Sequence, residues 1–300
     1  MKIGLHDGDK TKYPNLALMK ISAWHKQVGD IVEWWNPLSV YDLVYSSKVF
    51  TFSPDCPYLP PDTIKGGTGY GLYSELPPEI DSMKPDYSIY PDVDYAIGFL
   101  TRGCIRHCGW CIVPRKEGMI RPCSTWQEIK RPDSRKIVFM DNNVLASDHG
   151  LQQIEDMIGK DVKVDFNQGL DARLIDDSIA EMLGRLKWIR FVRLSCDTDA
   201  MLETILDKGE LLNQHGLKSW RIFVYVLVQD IPSAEHRCIE LRKVGMEPFA
   251  QPYRDFIHNT EPTREQKEFA RWVNHKAIFH SVASFKDYRR NIQCQRPNVP

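Results

Sequence analysis

The sequence predicts an α/β protein built on parallel strands, and three observations carry that prediction. Short apolar runs alternate with amphipathic stretches along most of the 300 residues. The order strand, helix, strand occurs once near the start and then repeats after a proline-rich interval. A content of 42% hydrophobic and 26% charged residues suits a globular chain with one large core or two moderate ones.

The first apolar run, "KIGLHD", reads as a strand, and "NLALMKISAWHKQVGD" as a helix, with Ala17, Ile21, Trp24 and Val28 at helical spacing and Gly29 as a stop. "IVEWW" (31–35), "DLVYSSKVF" (42–50) and "TIKGGTGYG" (63–71) follow as strands, the last ending in a glycine-rich turn. Residues 1–75 thus form a small α/β domain. The stretch "ELPPEIDSMKPDYSIYPDVD" reads as a linker over 76–94, because repeated prolines disfavour both helix and central strand. Six further strands are expected at 95–101, 136–141, 162–166, 189–195, 221–228 and 246–252, most of them separated by amphipathic helices, in a domain spanning 95–255. Such alternation winds a parallel sheet in one direction, giving either a doubly wound sheet or an incomplete barrel. In both, chemistry gathers just after the strands. Residues 256–300 read as a helix and a polar tail.

The formal net charge is -1, so no global field draws the chain to nucleic acid or an anionic membrane, and a nucleic-acid role would have to rest on a local patch. No apolar run reaches membrane-spanning length and the first residues do not resemble a signal peptide, so a cytoplasmic protein with no membrane partner is expected. In a reducing compartment eight cysteines make a poor disulfide framework. Cys56, Cys123, Cys196, Cys238 and Cys294 are scattered, whereas Cys104, Cys108 and Cys111 fall within "TRGCIRHCGWCIVPRKEG" directly after the strand 95–101.

A structural zinc site closes with four ligands, and no second cysteine pair accompanies these three. A redox pair at Cys108 and Cys111 leaves Cys104 unexplained. Thiolates at intervals of four and three suit an iron–sulfur cube with one corner left open. C-x-x-x-C-x-x-C after a strand of a repeated strand–helix domain, with Trp110 before the last cysteine, resembles the signature of the radical S-adenosylmethionine superfamily. The resemblance implies a partial (β/α)6 TIM-type barrel. It further implies a 4Fe-4S cluster on Cys104, Cys108 and Cys111 whose open iron binds S-adenosylmethionine. The expected activity is reductive cleavage to a 5′-deoxyadenosyl radical that abstracts hydrogen from a substrate, with electrons from a flavodoxin or ferredoxin.

By the same resemblance, Asp141, Asn142 and Asn143 of "FMDNNVLA" are candidates to hold the methionine amino group, though the usual Gly-Gly-Glu form is absent. Asn167, Gln168 and Asp171 of "FNQGLDARL", together with Arg173, converge on the strand ends, where Asp171 also suits a helix cap. Ser195 and Asp197 are candidate ribose or carboxylate contacts, Trp110 a flank for adenine, and His107 a surface or supporting residue. Gln229, Asp230, Gln251, Tyr253 and Arg254 follow later strands and qualify by position alone. Arg193 either faces the interior, where it needs an anionic partner, or points outward.

Residues 1–75 resemble the Rossmann-like, cobalamin-binding-like domain of one branch of the superfamily. "LHDGDK" lacks the D-x-H-x-x-G spacing, so cobalamin binding stands beside a degenerate α/β layer. Transfer-RNA or ribosomal-protein methylthiotransferases share the domain order, but their first domain carries three cysteines where this one has Cys56. A non-catalytic iron–sulfur electron carrier or sensor is the competing class.

Overall fold

The computed structural model describes residues 1–256, 258 and 260–295, with side chains through residue 290. The fold is mixed α/β with parallel sheets, and the chain divides into two compact units, 1–98 with 127–136, and 99–126 with 137–300. Among the described residues no helix is long and apolar enough to cross a membrane.

The first unit opens with β1 (Lys2–Asp7), α1 (Leu16–Gln27), β2 (Ile31–Trp34), β3 (Leu43–Ser47) and β4 (Ile64–Gly66). The strands pair in the order β2-β1-β3-β4, all parallel, so α1 is the crossover between the first two. Asn15 caps α1 by accepting from the Leu18 N–H at 3.2 Å. The helix buries Leu18 and Ile21 against Ile3 and Leu5. Its partner on the other side is the proline-rich stretch expected to be a linker. Pro78 begins a short helix, α2 (Pro78–Asp81), and Ile80 enters the same core beside Leu76 and Ile89. Asp86 clamps the stretch to α1, accepting from Ser22 Oγ and Lys26 Nζ, both at 2.6 Å. Although burial opposes ionisation of Asp86, these donors lower its pKa to about 2. The unit also takes in β5 (Ala96–Gly98) and the later segment 127–136.

The carboxyl ends of this sheet are tied to their own chain. The glycine-rich turn packs on Lys48, where a Cβ at Gly67 would collide with the Lys48 carbonyl and φ is +99°. The Gly69 N–H donates to the Lys48 carbonyl, and the N–H groups of Tyr70 and Gly71 close turns within the loop. Asp9 accepts from the N–H groups of Val49 and Phe50 and from Ser53 Oγ.

The second unit begins with a hairpin absent from the sequence reading: β6 (Thr101–Arg102), the short helix α3 (Val113–Lys116) and β7 (Arg121–Pro122), antiparallel to β6. After α4 (Trp126–Ile129), whose residues 127–129 belong to the first unit, strands and helices alternate as β8 (Lys136–Phe139), α5 (Asp148–Met157), β9 (Lys163–Phe166), α6 (Asp177–Arg185), β10 (Val192–Ser195), α7 (Leu202–Gln214), β11 (Ile222–Val228), α8 (Ile231–Lys243) and β12 (Glu247–Pro252). β8 and β9 are neighbours, parallel bridges Val164–Trp188 and Leu170–Leu194 carry β9 toward β10, and β10-β11-β12 form a parallel sheet. Spatial order therefore follows chain order, as one-directional winding requires. Val192, Leu194, Ile222, Val224, Val226 and Val228 are buried, and their alternate neighbours are half-exposed. Three helices follow, α9 (Arg264–Asn274), α10 (Lys276–Ser281) and α11 (Phe285–Gln295). The Cys294 side chain and tail residues 296–300 lie outside the described residues.

Arg237 on α8 is buried and donates to the carbonyls of Cys196, at 2.5 Å, and Leu227, at 3.0 Å, tying together the ends of β10 and β11. Replacement by Met strands two buried acceptors. Arg237→Met should cost about 2–5 kcal/mol in urea denaturation, and a loss below about 1 kcal/mol would contradict this assignment.

Candidate functional site

The cysteine loop hangs between the two limbs of the β6–β7 hairpin. The Cys104 N–H donates to the Gly118 carbonyl at 3.1 Å, and the Gly103 N–H to Glu117 Oε2 at 3.0 Å. Gly103 has φ +84°, and a Cβ there would collide with the Met119 carbonyl, so only glycine permits this approach. Glu117 Oε2 also accepts from Asn142 Nδ2 at 2.8 Å, joining the hairpin to the loop after β8. Asp141 reaches the start of the hairpin. Its carboxylate accepts from the N–H groups of Leu100 and Thr101 and, at 2.7 Å, from Thr101 Oγ1.

Burial pushes the Asp141 carboxyl up to about 6, against the pull of these hydrogen bonds. The folded state therefore binds this proton more tightly than the unfolded state. The stability so gained is complete below the unfolded value near 4 and disappears as pH rises through about 6, a change of roughly 2–3 kcal/mol. Asp141→Asn should remove that part of the pH dependence between pH 4 and 7. Equal slopes of unfolding free energy in variant and parent would contradict this.

All three loop cysteines are free thiols and line one cavity of about 220 Å³. Backbone N–H groups point at two sulfurs, Arg106 N to Cys104 Sγ at 3.3 Å and Val113 N to Cys111 Sγ at 3.5 Å. Asn143 Nδ2 adds a third donor, 3.4 Å from Cys104 Sγ. Desolvation raises the Cys108 thiol pKa, partly countered by the Arg173 guanidinium. Among the described residues no three His, Cys, Asp or Glu side chains converge to hold a single metal ion.

Opposite the thiols stand residues after β8, β9 and β10. Asn142, Asn143, Gln168, Asp171, Ser195 and Asp197 all line the cavity, as does Trp110. Asn167 lies behind it, its carbonyl accepting from Tyr225 OH at 2.7 Å. Asp171 binds two guanidiniums, Arg173 Nε at 2.6 Å and Arg106 Nε at 3.0 Å. It also caps the turn Ala172–Leu174 through the Arg173 N–H, the capping role expected from the sequence. Burial opposes the Asp171 charge, but the arginines hold its pKa below the usual range. Asp197 behaves oppositely. Burial raises its pKa despite Arg237 and a hydrogen bond from the Trp110 indole.

Asn143 is 2% exposed, and its Oδ1 is a buried acceptor with no hydrogen-bond partner. Arg193 finds its anion on the next strand, in a bidentate pair with Asp165 at 2.7 Å to each carboxylate oxygen. Arg106 and Glu117 were missed in the sequence. The available signals were an arginine between two cysteines and a lone acid in a cationic loop.

No protein-family model matches this chain, and no curated protein matches it.

Proposed function

We propose that the chain is a radical S-adenosylmethionine enzyme, with Cys104, Cys108 and Cys111 holding a 4Fe-4S cluster at the cavity wall. The observation that carries this reading is the pairing of three free thiols with a buried orphan acceptor and two guanidiniums in one cavity. The donor set fits. Thiolates suit iron, and the Cys104 and Cys111 sulfurs receive N–H donors of the kind that tune a cluster. When bound, the cluster supplies the electron that cleaves the sulfonium bond of S-adenosylmethionine.

The protein's part is recognition of the amino-acid end of that molecule. Asn143 Oδ1 accepts from its ammonium, and Arg106 and Arg173 donate to its carboxylate, held in place by Asp171. Asp197 and Ser195 accept from its ribose hydroxyls and Trp110 packs on its adenine, a reading supported by their common place in the cavity lining and by the hydrogen bond of the Trp110 indole to Asp197. Asp141 acts through the backbone of the hairpin. The partial (β/α)6 barrel, a cytoplasmic location and a flavodoxin- or ferredoxin-type electron donor belong to the same proposal.

Anaerobic reconstitution tests it first. About four irons per chain and an electron paramagnetic resonance signal that changes when S-adenosylmethionine is added support the reading. A zinc-loaded protein, or a signal indifferent to S-adenosylmethionine, contradicts it.

A further inference from the structure

The segment 167–171 supplies Gln168, Gly169, Leu170 and Asp171 to the cavity wall. Three N–H groups pin its backbone: Asn167 to the Phe139 carbonyl at 2.9 Å, Gly169 to the Phe166 carbonyl at 3.0 Å, and Leu170 to the Arg193 carbonyl at 2.7 Å. None of these bonds involves the peptide joining Asn167 to Gln168. Gly169 follows it at φ +92°, and a glycine adds no side chain to hold the neighbouring peptide plane in place. The bond that holds this peptide comes from β11, where Tyr225 OH donates to the Asn167 carbonyl at 2.7 Å.

The direction of that hydroxyl is fixed in turn. Asp165 takes Nε and Nη2 of Arg193, and the remaining nitrogen, Nη1, reaches Tyr225 OH at 3.2 Å. A guanidinium only donates, so the phenol oxygen accepts from it and turns its own hydrogen to the Asn167 carbonyl. Packing alone does not call for a hydroxyl here. The Tyr225 ring lies 5.3 Å from the Phe223 ring and 6.0 Å from that of Phe249, centroid to centroid, and these neighbours on the same sheet face have none. Tyr225 is outside the cavity lining, yet its Cδ2 stands only 3.5 Å from where a Cβ on Gly169 would sit.

We propose that Tyr225 is a positioning residue for S-adenosylmethionine: its hydroxyl sets the peptide after Asn167, and so the segment from which Asp171 presents Arg106 and Arg173 to the carboxylate. This deepens the proposed function and rests on it. The effect is confined to the amino-acid end of the ligand, because Asp171 and its two arginines act there.

The test is calorimetric titration of the full, anaerobically reconstituted chain with S-adenosylmethionine and with 5′-methylthioadenosine, which keeps the adenine and ribose but lacks the amino-acid end. Tyr225→Phe removes one hydrogen bond and keeps the ring. It should bind S-adenosylmethionine roughly 5- to 10-fold more weakly, and 5′-methylthioadenosine within about twofold of the parent. In turnover the KM for S-adenosylmethionine should rise by the same factor while kcat stays within about twofold. Phe249→Leu, which alters the ring packing and leaves the hydroxyl bond in place, should bind both molecules as the parent does. Unchanged affinity of Tyr225→Phe for S-adenosylmethionine overturns the proposal. Equal weakening of both ligands also overturns it, because that is general loosening of the site, as does a loss in Phe249→Leu as large as in Tyr225→Phe. A parent that carries its cluster and binds neither molecule overturns the proposed function as well, whereas a binding parent with an indifferent Tyr225→Phe removes this inference alone.

Discussion

Cys104→Ala, Cys108→Ala and Cys111→Ala should each strip the reconstituted protein of most of its iron and abolish release of 5′-deoxyadenosine. The three thiols open on one cavity and share one loop, and no fourth cysteine lines that cavity to replace a missing thiolate. Cys56 lies in the first unit, and Cys123 is exposed on the segment after β7, outside the cavity lining. Cys56→Ala and Cys123→Ala should therefore retain iron content within about 20% of the parent, an allowance for packing changes at sites away from the ligands. Iron lost from either variant would move the ligand assignment.

Asn143→Ala should have the second-largest effect, and on a different quantity. Its Oδ1 is buried without a partner, so in the unliganded protein it is a desolvated acceptor awaiting a donor. A hydrogen bond to an ammonium is worth about 1.5–3 kcal/mol, so the variant should bind S-adenosylmethionine roughly 10- to 100-fold more weakly by calorimetry. Iron should stay bound, because Asn143 is no ligand: its Nδ2 donates to Cys104 Sγ and to Asp171 Oδ2, each at 3.4 Å. Loss of that N–H···S bond should also lower the midpoint potential of the cluster, a shift that a purely structural residue would not produce. Unchanged affinity with unchanged potential would remove Asn143 from the site.

What the sequence could and could not disclose follows from the range of each interaction. The cysteine loop was legible because its spacing is local and its address, just after an apolar strand, follows from the strand–helix alternation. Apart from β6 and β7, the strands were placed to within a few residues for the same reason, since apolar residues on alternate positions, such as Val192, Leu194, Val224 and Val226, mark the buried face in the sequence itself. Long-range polar pairing was not legible. Asp141 looks like a strand-end ligand until its carboxylate is seen to be taken by Leu100 and Thr101, about forty residues earlier in the chain. Arg193 could not be oriented without Asp165 on the adjacent strand. The prolines of 76–94 suggested a linker, but Pro78 starts a helix and Asp86 finds Ser22 and Lys26, 64 and 60 residues away. The β6–β7 hairpin escaped notice because its strands are only two residues long and carry arginine and proline in place of an apolar pattern.

The most direct test of the central claim is the fate of S-adenosylmethionine when the anaerobically reconstituted protein is reduced. Chromatography of the reaction should show 5′-deoxyadenosine accumulating with time, and none with Cys104→Ala. A fully loaded, reducible cluster that leaves S-adenosylmethionine intact would contradict the account and favour an electron carrier or sensor.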